Sequence, residues 1–189
     1  MDPDAYLCQL AEIFNGISVN TPSLSAIIAI VLAGLLLLAS GFASASEIAF
    51  FSLSPSDLND IEEGNHPSDG KISNLLADSE RLLATILITN NFVNVTIIML
   101  CNFFFMNVFV FHSPLAEFLI LTVILTFLLL LFGEIMPKIY SAQKTLAFCR
   151  FSAPVIYVLR KVFAPISAVL VHSTAFLNKH FAKKNHNIS

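Results

Sequence analysis

From Leu82 to Pro137 the chain carries no lysine or arginine, and its only charged side chains are Glu117 and Glu134. An earlier segment, from about Leu24 to Leu53, is equally apolar, with Glu47 as its only charge. A bilayer core is crossed by about 20 apolar residues in a helix. These stretches therefore predict helices that span a membrane. The first span runs from Leu24 to Leu53, with Thr21, Pro22 and Ser23 as its start signal. The second runs from Leu82 to Phe111. A tight turn at 112–114, "HSP", leads to the third, from Leu115 to Phe132.

Composition agrees with that reading. Of 189 residues, 56% are hydrophobic and 12% charged, where a soluble domain carries about 25% charged residues. One compact membrane domain is the expected size. The three cysteines, Cys8, Cys101 and Cys149, are scattered and show no metal-ligand spacing with histidine. The first residues, "MDPDAYLCQLAEIF", are acidic and make a poor secretory leader.

Residues 54–80 are polar and acidic. Leu58 and Ile61 lie three apart, as do Ile72 and Leu75, with Leu76 beside them. This predicts short amphipathic helices at the membrane surface, broken at "EGNHPSDG". After Lys138, basic residues recur, and Pro154 and Pro165 interrupt apolar segments. Amphipathic helices along the interface are expected there as well. A fourth span over 151–177 would bury Arg160 and Lys161 near mid-bilayer, at high cost.

All ten Lys and Arg residues lie at position 71 or later. Basic residues mark the cytoplasmic side, so this is a topology signal rather than a nucleic-acid surface. It puts the N-terminus outside, the 54–80 loop inside and the C-terminus inside. Three spans satisfy it, and four do not.

Polar residues inside the spans carry the chemistry. Ser40, Ser44 and Glu47 follow at i, i+4 and i+7 on one helix face. Gly41, Ala45 and Ala49 form a small-residue stripe on another, a surface for close helix packing. Serines in such helices commonly bond their own backbone. Asn90, Asn91 and Asn94 cluster in span two and read either as interhelical glue or as a hydrated, ligand-lined site. Span three ends in "GEIMPK". Pro137 has no N–H, so in an α-helix the carbonyl of Gly133 loses its donor. Glu134 sits beside it, and could simply pair with Lys138 four residues on. No thiolate or histidine cluster accompanies these groups. Hydroxyl, amide, carbonyl and carboxylate oxygens suit Mg2+, Ca2+ or Na+ rather than zinc or copper.

Three segments, "SGFASASEIAFFSLS", "LLATILITNNFVNV" and "FGEIMPKIYSAQ", come in an order and spacing that closely resembles the transmembrane domain of the CorC and cyclin M (CNNM) magnesium transport proteins. The resemblance covers roughly residues 24–180. It implies an all-α membrane domain of three transmembrane helices with juxtamembrane amphipathic helices, assembled as a homodimer in the lipid bilayer of the cell's inner or plasma membrane. It implies transport of Mg2+, with Na+ coupling proposed for several members. Carried over by motif, the ion site comprises Ser40, Ser44, Asn90, Asn91, Gly133 and Glu134. Glu47 and Asn94 are supporting or packing groups in that scheme. On this reading residues 1–23 are an extracytoplasmic segment, 24–180 the membrane domain and 181–189 a cytoplasmic tail. Relatives usually continue into CBS domains that bind ATP, and no CBS sequence occurs in these residues. A non-transporting scaffold or accessory protein sharing the domain is the alternative. An enzyme is not expected, since no HExxH, GxSxG or intramembrane aspartate pair occurs.

Overall fold

Ser23 starts the first long helix, α1 (Leu24–Phe51): its hydroxyl accepts the N–H of Ala26 at 3.3 Å. The cap is thus Ser23, with Pro22 before it. A computed structural model describes residues 18–110 and 114–169. Ser54 caps α2 (Pro55–Glu62) and forms a capping box with Asp57. The chain breaks at 63–68 and resumes as α3 (Asp69–Leu76). Asp78 accepts the N–H of Arg81 and opens α4 (Ser79–Val108).

Span two is shorter at its far end than the apolar run suggests. After Val108 the chain extends as β2 (Phe109–Val110) and pairs antiparallel with β1 (Ser18–Val19). The N–H of Asn20 also reaches the carbonyl of Val108 at 2.7 Å. A two-residue pairing is too short to leave an alternating pattern in sequence. His112 and Ser113 lie outside the described residues, and Pro114 opens α5 (Pro114–Leu128).

Span three does not stop at Phe132. A π-helical segment, Leu129–Ile135, follows α5 and leads directly into α6 (Met136–Gln143). Pro137 therefore sits inside a continuous helix. The N–H of Met136 bonds the carbonyl of Leu131, five residues back. The next bond of that series would join residue 137 to Phe132, and proline has no N–H to give. The wider register thus sets Phe132's carbonyl, rather than Gly133's, opposite the missing donor. Single π turns of this kind are frequent at functional sites.

Two glycines let span one meet this segment. A Cβ on Gly41 would lie 2.9 Å from Pro137 Cγ and 3.3 Å from the carbonyl oxygen of Phe132. A Cβ on Gly133 would lie 3.1 Å from Ser40 Oγ. The small-residue stripe packs as expected: Ala45 and Ala49 are buried, and Ser141 Oγ donates to the carbonyl of Ala45 at 2.7 Å. Among the described residues three helices are long and apolar enough to cross a membrane: Leu24–Phe51, Ser79–Val108 and Glu117–Gln143. Their outward faces expose Leu38, Met99 and Val123, as lipid contact requires. The protein is an integral membrane protein.

The long C-terminal helix α7 (Thr145–Val162) runs unbroken through Pro154, and the chain bends only at Phe163, before Pro165. Proline was expected to interrupt it. Packing overrides that local cost, because Cys149, Ser152, Ala153 and Ile156 recur at i, i+3, i+4 and i+7 and are all buried. Cys149, Ala153 and Ile156 join Phe50, Ile61, Ile72, Leu75 and Leu82 in the core that α2, α3 and α7 build at one end of the spans. A second core, with Ala33, Val93, Ile97 and Leu125, lies between the spans themselves. Burial pushes the Cys149 thiol up to about 12, so it stays protonated at neutral pH.

Arg150 of α7 clamps fully buried Asp69 of α3 with two bonds, Nε to Oδ1 at 2.8 Å and Nη2 to Oδ2 at 3.0 Å. That guanidinium holds the Asp69 carboxyl below its usual range, against the opposing effect of burial. A depressed carboxylate contributes stability above its unfolded pKa, near 3.9, and loses it as pH falls through the folded value. The thermal midpoint is therefore expected to be insensitive to this pair from pH 8 to about 5, and to fall below about pH 4. Comparing wild type with Asp69→Asn by thermal melts across pH checks this: the variant starts lower and lacks that part of the acid step.

Candidate cation site

Ser40 lies 16 residues into α1 and 11 from its end, so it sits about 24 Å and 16 Å from the two helix ends. It is fully buried. Its Oγ is 2.9 Å from Asn90 Oδ1 and 2.6 Å from Asn94 Oδ1. On the third side is Gly133, whose lack of a side chain leaves room for that oxygen. One hydroxyl thus joins all three spans.

A serine hydroxyl has one proton, and here two amide oxygens face it. Ser40 donates to one of them. The other is satisfied only if its amide rotates to present NH2, or if a cation takes the oxygens together. Ser44, one turn further along the same face, is fully buried, and its Oγ has no hydrogen-bond partner among the described residues. An unmet buried hydroxyl costs about 1–3 kcal/mol. The neighbouring hydroxyls behave differently. Ser46, Thr85 and Thr89 each donate to the carbonyl four residues back, at 2.7–2.8 Å. The ordinary fate of a helical hydroxyl is thus seen around the site, and Ser40 and Ser44 depart from it.

The carboxylates divide the same way. Lys138 Nζ pairs across the helices with Glu47 Oε2 at 3.1 Å, not with Glu134 on its own helix. Glu47 is therefore neutralised. Glu134, half-buried beside Gly133, has no hydrogen-bond or ion-pair partner among the described residues. An uncompensated carboxylate at membrane depth is costly unless something positive comes to it.

Of the six residues read from the sequence, Ser40, Asn90 and Gly133 meet at one point. Ser44 lies one turn along the same helix, and Glu134 is the residue next to Gly133. Asn91 does not join them: it is exposed on the outer face of α4. Asn94 takes its place, and spacing explains why. Residues 90 and 94 share a helix face, while residue 91 is turned about 100° away. The π register, which puts Phe132's carbonyl in play, left its trace in the sequence as Gly133 followed four residues later by proline. Among the described residues no group of three or more His, Cys, Asp or Glu side chains comes together. The donor set is therefore neutral oxygen plus one carboxylate, suited to hard cations.

Residues 30–189 match the cyclin M transmembrane N-terminal domain. The chain belongs to this family. A UPF0053 protein of Haemophilus influenzae is 32% identical over 130 residues, which is 69% of this chain and 30% of that protein. This cyclin M domain thus spans about 30% of the length of that relative. All three motif segments, and every residue of the cluster around Ser40, fall within the family match.

Proposed function

We propose that this cyclin M domain binds a partly dehydrated Mg2+ between its spans and exports it by alternating access, with Na+ as the coupling ion. The ligands are Ser40 Oγ, Ser44 Oγ, an amide oxygen of Asn90, the carbonyl of the Phe132–Gly133 peptide, which Pro137 leaves without a donor, and Glu134. Mg2+ sheds water reluctantly, so several waters stay with it. The observation that carries the reading is the buried hydroxyl of Ser44, which has no partner among the described residues and lies one turn from a hydroxyl shared by two amide oxygens.

Orientation follows from charge. Every described Lys and Arg belongs to the end built by α3, α6, α7 and the first turn of α4. This supports a cytoplasmic position for that end, with the N-terminus outside. Asn91 supports a homodimer: an amide exposed about 18 Å along a span needs a hydrogen-bond partner, and the described residues of one copy do not supply it.

Ser44→Ala tests the site. Removing an unmet hydroxyl leaves the ion-free thermal midpoint unchanged or raises it. The same change is expected to weaken Mg2+ binding, followed by calorimetry on the purified domain, about tenfold. A second reading, a non-transporting scaffold, draws on the Ser40 bonds to Asn90 and Asn94, which hold spans one and two together without any ion. It predicts no Mg2+ response in wild type, and that outcome would sink the transport site.

A further inference from the structure

A second polar cavity lies apart from the cluster around Ser40. A cleft of about 420 Å³ opens between the C-terminus of α3, the first turn of α4 and the end of α7. It is lined by Asn74, Asp78, Arg81, Arg160 and Lys161, with Ala164 at its edge. Three cations face it, against one carboxylate. Asp78 is already engaged: Oδ1 accepts the backbone N–H of Arg81, and Oδ2 lies 3.6 Å from Arg81 Nε. Arg81 Nε is itself enclosed and donates no hydrogen bond. Among the described residues neither Arg160 nor Lys161 has a carboxylate partner.

These cations are held in place. Arg160 Nη1 donates to the carbonyl of Asn74 at 3.0 Å, and Nη2 donates to its side-chain oxygen. The Tyr157 ring lies 5.4 Å from the Arg160 guanidinium carbon and 4.7 Å from Lys161 Nζ. Fixing like charges side by side is unfavourable unless an anion occupies the space between them. The guanidinium fork and the ammonium suit phosphate oxygens.

The surroundings say which phosphate. Phe92 lies eleven residues beyond Arg81 on the same face of α4, about 16 Å deeper in the span. It is 65% exposed, and its ring packs on Phe163, which directly follows α7, at 6.5 Å between centroids. A polar cleft at the head of a span, above exposed Phe92 and half-buried Phe163, fits a phosphate headgroup with its acyl chain running down the apolar face. We propose that this cleft is a binding site for the phosphate group of an anionic phospholipid. The site is independent of Mg2+ transport.

The full chain in detergent is titrated with phosphatidylglycerol, phosphatidylcholine or inorganic phosphate, and lipid adducts are counted by native mass spectrometry. Wild type is expected to retain phosphatidylglycerol in preference to phosphatidylcholine. Lys161→Gln lowers that retention about tenfold, and Lys161→Arg keeps it. Lys71→Gln removes the same charge from an exposed position outside the cleft and leaves retention unchanged. Equal loss in Lys71→Gln and Lys161→Gln reduces the effect to general surface charge and overturns the proposal. So does equal retention of phosphatidylcholine. Displacement of the lipid by millimolar inorganic phosphate would reassign the cleft to a soluble anion.

Discussion

Glu134→Gln is expected to lower Mg2+ affinity about a hundredfold without lowering the ion-free stability of the domain. The first half follows from charge. At an effective dielectric near 20, a ligating carboxylate with its charge centred about 3 Å from a divalent ion attracts it by about 11 kcal/mol. Desolvation of both groups takes back much of this. A remainder of about 2.7 kcal/mol corresponds to the hundredfold. The second half follows from what Glu134 lacks. Lys138 is committed to Glu47, so the glutamine breaks no ion pair. It also removes a charge that is expensive at that depth. Calorimetry gives the affinity and a thermal melt without Mg2+ gives the stability. A variant that binds Mg2+ like wild type would remove Glu134 from the site. A variant that loses ion-free stability would mean that Glu134 has a structural partner.

Gly133→Val is expected to damage both stability and ion binding. A bare Cβ at this position already approaches Ser40 Oγ to 3.1 Å and Leu37 Cδ1 to 3.5 Å. Two further methyl groups must displace one of them. Overpacking of this kind costs about 1–3 kcal/mol. Pushing Ser40 aside also weakens its contacts with Asn90 and Asn94, each worth about 1 kcal/mol. Gly133→Ala is the graded control. Its single methyl needs a shift of a few tenths of an ångström, and alanine's better helix propensity returns up to about 1 kcal/mol. Alanine is thus expected to melt near wild type and valine well below it, with the Mg2+ response lost in valine. Equal melting of the two variants would mean that span three can back away from Ser40 freely.

The spans were legible because an apolar run of that length has few other solutions. The two short helices of the 54–80 loop were legible because Leu58, Ile61, Ile72 and Leu75 repeat with helical spacing. The losses were local. Pro154 looked like a breaker, but four buried residues on one face keep α7 continuous. Pro137 looked like an end, but a π turn upstream absorbs its missing N–H and carries the span on to Gln143. The β1–β2 pairing joins residues 90 and 92 positions apart through two residues each, and sequence holds no signal for so small a contact. At the site, the serine face and the glycine were readable from helical spacing. Lys138's choice of Glu47 was not, because it depends on how α1 and α6 cross. The same is true of Asn94 over Asn91, although the i, i+4 relation to Asn90 pointed to it.

The pairing of Ser18–Val19 with Phe109–Val110 bears on which part of the domain is free to rearrange. It ties the chain just before span one to the chain just after span two, and Ser40 ties the same two spans at mid-depth through Asn90 and Asn94. Spans one and two, fastened at two levels, form a stator. Span three is the least buried of the three. It packs on span one across two glycines, Gly41 and Gly133. In the proposed transport cycle, opening and closing a path for the cation falls to span three, turning against that stator, with Glu134 carried on the moving part and Ser40 and Ser44 on the fixed one.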